Sequence, residues 1–349
     1  MKKRILPLLL LLGLAGCASQ PSVDPATQNP DKQQAQIDAV WSRIDALEGP
    51  LQDEELAWFA TAQMRRANST WQDARQQYQL YAQTPERMYE RLGVFSTRSR
   101  YQASQESLED AEKLVQQAQE IRDQAKEQLA EPFHNREVLR SLDAQSLHST
   151  TYQQLDEQLK SLVDNIASGR LSRALSAQPA LLKAQRELEV RTVRDIYLTP
   201  HRRELERQKN EGLDQTAPAS YEQASQRLEA AWKHVEAFPR DLDTVAAQAE
   251  ATRFALAHSR HLGQDLQSLD KADRAERESY LLGLETQLAQ LSHSLGMEDL
   301  RDRPLKQQLK ELNKVLQKQM RQPEAGLVEP EADPDEQDGE EAALAEQEQ

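Results

Sequence analysis

From residue 33 to residue 322, apolar side chains return at every third or fourth position, and no stretch alternates with period two for long enough to form a strand. A chain with that spacing can bury its apolar residues only along helix faces, so the expected fold is all-α. Only 5% of its residues are aromatic, 29% are charged and glycines number 11, which suits elongated antiparallel hairpins with coiled-coil segments better than a thick globular core.

Two seams stand out. Leu108, Ala111, Val115, Ala118, Ala125 and Leu129 follow one another at three- and four-residue steps over about 103–130, interrupted only by Arg122, with small residues that would let a neighbouring helix approach closely. Leu281, Leu284, Leu288, Leu291 and Leu295 keep the same spacing. Gly296 and Pro304 interrupt it, and Leu305, Leu309, Leu312 and Leu316 resume it. Both seams are expected to carry association with a second copy or another protein. Further helices are predicted over 35–48, 52–83, 86–92, 136–168, 180–197, 201–213, 218–237 and 241–269. Their breaks fall near Gly49-Pro50, Pro85, Gly93, Pro132, Gly169, Pro179, Pro200 and Pro239. Such short breaks imply antiparallel neighbours.

The two ends differ from this body. Residues 1–16 combine a basic start at Lys2, Lys3 and Arg4, an apolar run from Ile5 to Leu12 and small residues, as a cleaved export signal does; the run is far short of the roughly 20 residues of a membrane span. Residues 17–32 are rich in Ser, Pro, Thr, Gln, Asn and Asp and read as a tether. Residues 323–349 carry 11 Asp and Glu, no Lys or Arg, and Pro323, Pro330 and Pro334, too little apolar surface to offset the entropy of ordering, so an unfolded acidic tail is expected.

Leu14-Ala15-Gly16-Cys17 resembles the lipobox of bacterial lipoproteins at every position. The resemblance implies that Cys17 receives a diacylglycerol on its thiol, that residues 1–16 are removed, and that the new amino terminus is acylated. Ala18 and Ser19 follow the cysteine where an Asp would imply retention at the inner membrane, so the resemblance implies an outer-membrane anchor facing the periplasm. Cys17 is the one cysteine of the chain, which leaves no internal disulfide to form in that oxidising compartment. Loss of Lys2, Lys3 and Arg4 with the signal takes the formal charge from −15 to −18, which disfavours nucleic acid as a partner.

Residues 212–258, with Gly212, Ala217-Pro218, Tyr221, Ala224, Leu228 and Ala231, resemble a short helical domain of unknown function in envelope lipoproteins. There it often precedes a peptidoglycan-gripping domain like that of outer-membrane protein A. No mixed α/β domain follows here, so peptidoglycan stays open as a partner, but with no recognisable binding domain for it. Ala67, Trp71, Ala74 and Tyr78 match Ala217, Tyr221, Ala224 and Leu228 at an offset of 150, while Tyr101, Leu108 and Ala111 match Tyr221, Leu228 and Ala231 at 120. Two competing offsets leave an internal duplication open.

Chemistry-bearing patterns are sparse. His258-x-x-His261 places two imidazoles on one helix face but has no adjoining donors, so no metal is expected. No phosphate-cradling glycine loop or nucleophile elbow is present, and adjacent carboxylates such as Glu54-Glu55 are unavoidable with 58 acidic residues. Trp41, Trp58, Trp71 and Trp232 sit at helical positions that suit either packing or an exposed partner anchor. The expectation is a lipid-anchored, non-enzymatic structural or scaffolding protein of the cell envelope. It needs no cofactor beyond the acyl groups on Cys17, and its partners are membrane lipid plus an envelope protein or itself. The alternative is an adaptor or regulator of a cell-wall enzyme or envelope transport complex.

Overall fold

The structure, a computed structural model, describes residues 29–93 and 95–321. Cys17, the signal segment, most of the tether and the acidic tail lie outside the described residues. Those described form fourteen α-helices and one isolated β-bridge, Arg91 to Ser99, with no strand among them. The all-α expectation therefore holds. The chain divides into two compact units. One comprises the described residues up to Pro200 with Glu229–Ala249, and the other His201–Leu228 with the described residues from Glu250 onward.

The first unit opens with α1 (Pro30–Leu51), which starts two residues inside the expected tether. Asn29 accepts a hydrogen bond from the Asp31 amide at 3.0 Å and Pro30 occupies the first helical position, where its missing donor costs nothing. The helix expected over 52–83 is two, α2 (Glu54–Phe59) and α3 (Thr61–Tyr81), parted at Ala60 with φ −133° and ψ 55°. A 3-10 turn at Pro85–Tyr89 replaces the helix expected over 86–92. Helix α4 (Arg100–Gln128) begins at a capping box in which Ser99 and Gln102 satisfy each other's backbone amides.

Helices α1, α3 and α4 close on one core of Val40, Ile44, Met64, Ala67, Trp71, Ala74, Leu108, Ala111, Val115 and Ala118. The alanines at 67, 74, 111 and 118 are fully buried, so α3 and α4 meet nearly backbone to backbone. Trp71 fills the remaining space and donates its indole N–H to the Ile44 carbonyl at 2.9 Å. Tyr81, also fully buried, shares a 2.7 Å hydrogen bond with Ser104, and burial pushes its phenol up to about 12. This core uses the first seam. Leu108 and Val115 pack inside it, Leu129 lies in the adjoining core with Phe59 and Leu139, and none of the three is open to a partner. The expectation of association through that seam is thus corrected, because the chain's own helices consume it.

The chain then repeats a pattern. Helices α5 (Ala130–Ser141), α6 (Ala144–Leu147), α7 (Ser149–Ala167) and α8 (Leu171–Tyr197) have 12, 4, 19 and 27 residues. Helices α9 (Thr199–Asn210), α10 (Leu213–Thr216), α11 (Pro218–Ala237) and α12 (Leu242–Lys271) have 12, 4, 20 and 30. A left-handed residue precedes each four-residue helix, Asp143 at φ 54° and Gly212 at φ 75°. His148 (φ −137°, ψ 49°) and Ala217 (φ −129°, ψ 61°) then repeat the junction seen at Ala60. The first three elements recur after 69 residues, which aligns the fully buried Leu129 with Leu198, Tyr152 with Tyr221, and Leu159 with Leu228. The recurrence is neither of the offsets suggested by sequence. Ala60 and Ala217 are 157 residues apart, seven more than 150, and a seven-residue slip returns helical side chains to almost the same face.

Two expected breaks do not occur. Pro50 lies inside α1 and Pro179 inside α8. Each removes the hydrogen bond to the carbonyl four residues earlier, Ala46 or Leu175, and both of those residues are exposed, so water can take the freed oxygen.

A polar cluster ties α5, α8 and the loop after α11 together within the first unit. Arg240 forks onto the buried Glu189 carboxylate at 2.7 and 3.0 Å and reaches Asn135 Oδ1 at 2.6 Å, while Gln185 donates to the Pro132 carbonyl at 3.0 Å. The Glu189 hydrogen bonds raise the Arg240 guanidinium pKa above its ordinary value. In the second unit Arg260 of α12 plays a similar part against α9, donating to Glu204 at 2.7 Å and Glu211 at 2.8 Å. Also in the second unit, Gly263 of α12 leaves room for the fully buried Leu213, whose Cδ2 would lie 2.8 Å from an added Cβ.

Arg240→Ala should destabilise the first unit by about 2 kcal/mol in urea denaturation, because Glu189 keeps its charge in a buried site without a cation; partial exposure of the arginine keeps the loss below that of a fully buried pair. Adding Glu189→Gln should recover part of it, and an unchanged midpoint for Arg240→Ala would refute this role. Desolvation, with help from Arg253, lowers the pKa of His201 below its ordinary value. The folded form then binds fewer protons than the unfolded one, so His201 contributes stability above its unfolded pKa that is lost as pH falls through and below that value. His201→Gln should flatten the stability profile between about pH 7 and 5, and a profile identical to that of the parent would exclude the residue.

Candidate partner interface

The second seam has a different fate from the first. Helix α13 (Arg274–Ser294) begins at a capping box between Asp273 and Glu276, whose side chains each accept the other's backbone amide. It ends at Gly296, φ 67°, where the Gly296 amide reaches the His293 carbonyl at 3.0 Å and the Met297 amide reaches Ser292 at 2.9 Å. Pro304 then starts α14 (Leu305–Arg321) by accepting from the Gln307 and Gln308 amides. Glycine and proline thus make the turn that brings the two halves of the leucine pattern together as a hairpin.

The hairpin's own contact is narrow. Ser292, Leu300, Gln308 and Leu312 are buried, and Leu288, Leu295, Leu305 and Val315 are half-buried. A polar residue holds the middle of this seam, where Gln308 donates to Glu285 at 3.1 Å and to the Arg303 carbonyl at 2.7 Å. The remaining leucines stay in solvent. Leu281, Leu284 and Leu291 are 50%, 40% and 56% exposed on α13, and Leu309 and Leu316 are 47% and 41% exposed on α14, where Met320 reaches 86%. Scattered apolar residues on a surface are ordinary, but six along two adjoining helices make this hairpin the candidate site for a partner. At about 100° per residue Leu281, Leu284 and Leu291 span an arc of about 80° on α13, with the equally exposed Leu282 outside it, and Leu309, Leu316 and Met320 span one of about 40° on α14.

Around them the charges are arranged by helix. Lys306, Lys310, Lys314 and Lys318 are all exposed along α14. Lys314 lies 2.9 Å from Glu311 and that hydrogen bond holds the Glu311 carboxyl below its ordinary value. In the turn between the two helices, Arg301 lowers Asp299 in the same way. An open cavity of about 440 Å³ runs beside α13, lined by Thr286, Gln290, His293, Met297, Asp299 and Arg301.

In the first unit a groove of about 550 Å³ has Trp58, Phe59 and Phe133 as its floor. Phe59 stands edge-on to Trp58 at 4.9 Å and tilted to Phe133 at 5.6 Å. Lys126 lies 5.6 Å from the Phe59 ring, and Arg136 and Lys160 lie 5.9 and 5.6 Å from Trp58. These cations already have partners, Lys126 in Glu55 at 2.7 Å, Arg136 in Asp156 and Lys160 in Asp164. The groove therefore offers apolar area rather than unmatched charge. Of the other tryptophans, Trp71 is core, Trp232 is half-buried with Arg194 over its ring at 4.8 Å, and Trp41 is 46% exposed and stacks on Tyr78 at 5.5 Å.

His258 and His261 are both exposed, and among the described residues no three His, Cys, Asp or Glu side chains gather as a metal site. His148 and His234 each face one carboxylate, Asp195 at 3.3 Å and Asp241 at 3.2 Å. Periodicity assigned both seams to association, and what it missed is that the chain's own helices bury the first. The second seam has the same periodicity, and the one distinguishing signal was the row of lysines at every fourth position of 306–318. No family model matches the chain, and no curated protein or solved structure matches it at a significant level.

Leu312→Ala should loosen the hairpin by roughly 2–4 kcal/mol and speed hydrogen exchange of the α13 and α14 amides. Leu309→Ala should change it by less than about 0.5 kcal/mol. Equal effects of the two would mean that the seam and the free surface are wrongly divided.

Proposed function

We propose that this protein is a lipid-anchored helical scaffold of the bacterial cell envelope, non-enzymatic, held in the outer membrane through Cys17 and facing the periplasm, with α13 as its docking surface for an envelope protein or a second copy. The observation that carries this reading is the exposure of Leu281, Leu284 and Leu291 along one arc of α13, in a protein that buries its other long leucine seam completely. Burying one such side chain at an interface is worth about 1.5–3 kcal/mol, so three within one arc would offset much of the cost of association. The lipobox-like Leu14-Ala15-Gly16-Cys17 supports the anchor, and residues 18–29 supply a spacer between lipid and helices.

An adaptor role for the same protein draws support from Trp41, an aromatic side chain left nearly half exposed on the first helix. On that reading a regulated enzyme or transport complex would engage α1 rather than α13.

Both readings meet the same experiment. A photoreactive amino acid placed at Leu291, and separately at Trp41, should crosslink in intact cells to a discrete product from the first position, and Leu284→Asp should abolish it. A discrete product from Trp41 alone would favour the adaptor, and none from either would end both. Cys17→Ser should move the protein from the membrane to the soluble fraction, and mass spectrometry of the parent should find acyl chains on residue 17. An unmodified Cys17 would refute the anchor.

A further inference from the structure

Helix α14 departs from the rest of the chain in charge. Lys306, Lys310, Lys314 and Lys318 face the single carboxylate Glu311 within it, in a protein of formal charge −15. Among the described residues only Lys314 of the four makes an ion pair. Leu309, Leu316 and Met320 occupy their narrow arc beside Lys306 and Lys310, which lie about 60° and 100° round the helix from Leu309, while Lys314 and Lys318 lie about 140° and 180° round it. Gln308 and Leu312 turn inward to α13, so the helix is fixed by one flank and presents the other.

We propose that this flank of α14 rests on an anionic lipid surface. Leu309, Leu316 and Met320 enter the boundary between headgroups and acyl chains, and Lys306 and Lys310 extend their stems over it to meet lipid phosphates. A protein partner would need a socket for these side chains, whereas the stripe is convex and none of the three residues lines the hairpin's cavity. A fluid surface adapts to such a stripe. Contact is peripheral, since no helix among the described residues is long and apolar enough to cross a membrane. The 11 carboxylates beyond Pro323 oppose the same surface, which makes binding steep in the lipid's negative charge. The proposal goes beyond docking at α13 and does not rest on acylation of Cys17.

The test uses the full mature chain with Cys17→Ser, so that no acyl chain contributes, pelleted with vesicles of phosphatidylcholine alone or with roughly a third phosphatidylglycerol. Binding is expected to the second only, and to vanish at about 0.5 M salt. Lys306→Gln and Lys310→Gln together should weaken it by about thirtyfold, and Leu309→Ser with Leu316→Ser by roughly tenfold or more. Leu291→Ser should leave it unchanged, and circular dichroism should show all variants equally helical because every substituted side chain is exposed. Equal binding to both vesicles, no binding to either, or substitutions that abolish self-association in sedimentation while sparing vesicle binding would each overturn the proposal. Vesicle binding without crosslinks from Leu291 would instead leave it standing and remove the scaffold reading alone.

Discussion

Alanine sets how closely the helices of this protein approach one another. At Ala67 and Ala74 of α3, and Ala111 and Ala118 of α4, no side-chain atom lies beyond Cβ, and all four are fully buried. With so little aromatic volume available, the chain gains its packing from backbone proximity and a few large plugs, Trp71 in the first core, Phe59 in the second and Tyr81 in a small cluster with Ile37 and Met88. A core built this way is thin. It can cover one or two faces of each helix, and leucines that find no second helix remain in water, as those of α13 and α14 do.

Periodicity made the helices legible and could not say who covers them. The seam around Leu108 and the seam around Leu288 have the same three-four spacing, yet one is the inside of a bundle and the other is the edge of a two-helix hairpin. Small residues were the better clue. Ala111, Ala118 and Ala125 interleave the buried seam, whereas the exposed one is nearly all leucine flanked by lysine. Proline misled in both directions. Pro304 does start a helix, but Pro50 and Pro179 are carried inside helices because the carbonyls they orphan face water. Asp143, which adopts the left-handed conformation that glycine takes at 212, gave no signal, although its side chain accepts from the Ser146 hydroxyl at 2.7 Å and so steadies the turn.

The 69-residue recurrence shows why internal similarity was visible at the wrong offsets. Helical repeats constrain only the buried positions, and those demand a size class rather than an identity: Trp71, Leu159 and Leu228 occupy equivalent places after the three like junctions at Ala60, His148 and Ala217. Backbone geometry at those junctions is more faithfully kept than sequence, because a four- or six-residue helix must hand the chain to a long one at a fixed angle. A heptad slip costs a sequence comparison almost nothing and a structure everything, since it moves a side chain about 10 Å along the axis while keeping its face.

Charge follows the same division of labour. Within the packed helices, arginines are committed to specific carboxylates, as Arg240 is to Glu189 and Arg260 is to Glu204 and Glu211, and those pairs fix which helices meet. In α14 the cations are lysines, flexible and mostly without a carboxylate, on a helix that also leaves apolar side chains in water. Arginine's planar fork rewards a partner of fixed geometry, whereas a lysine ammonium on a long stem tolerates partners that move. The change from arginine pairs in the body to a lysine row in the last helix therefore marks a change in what each surface is built to meet: other helices in the first case, and a yielding, negatively charged surface in the second.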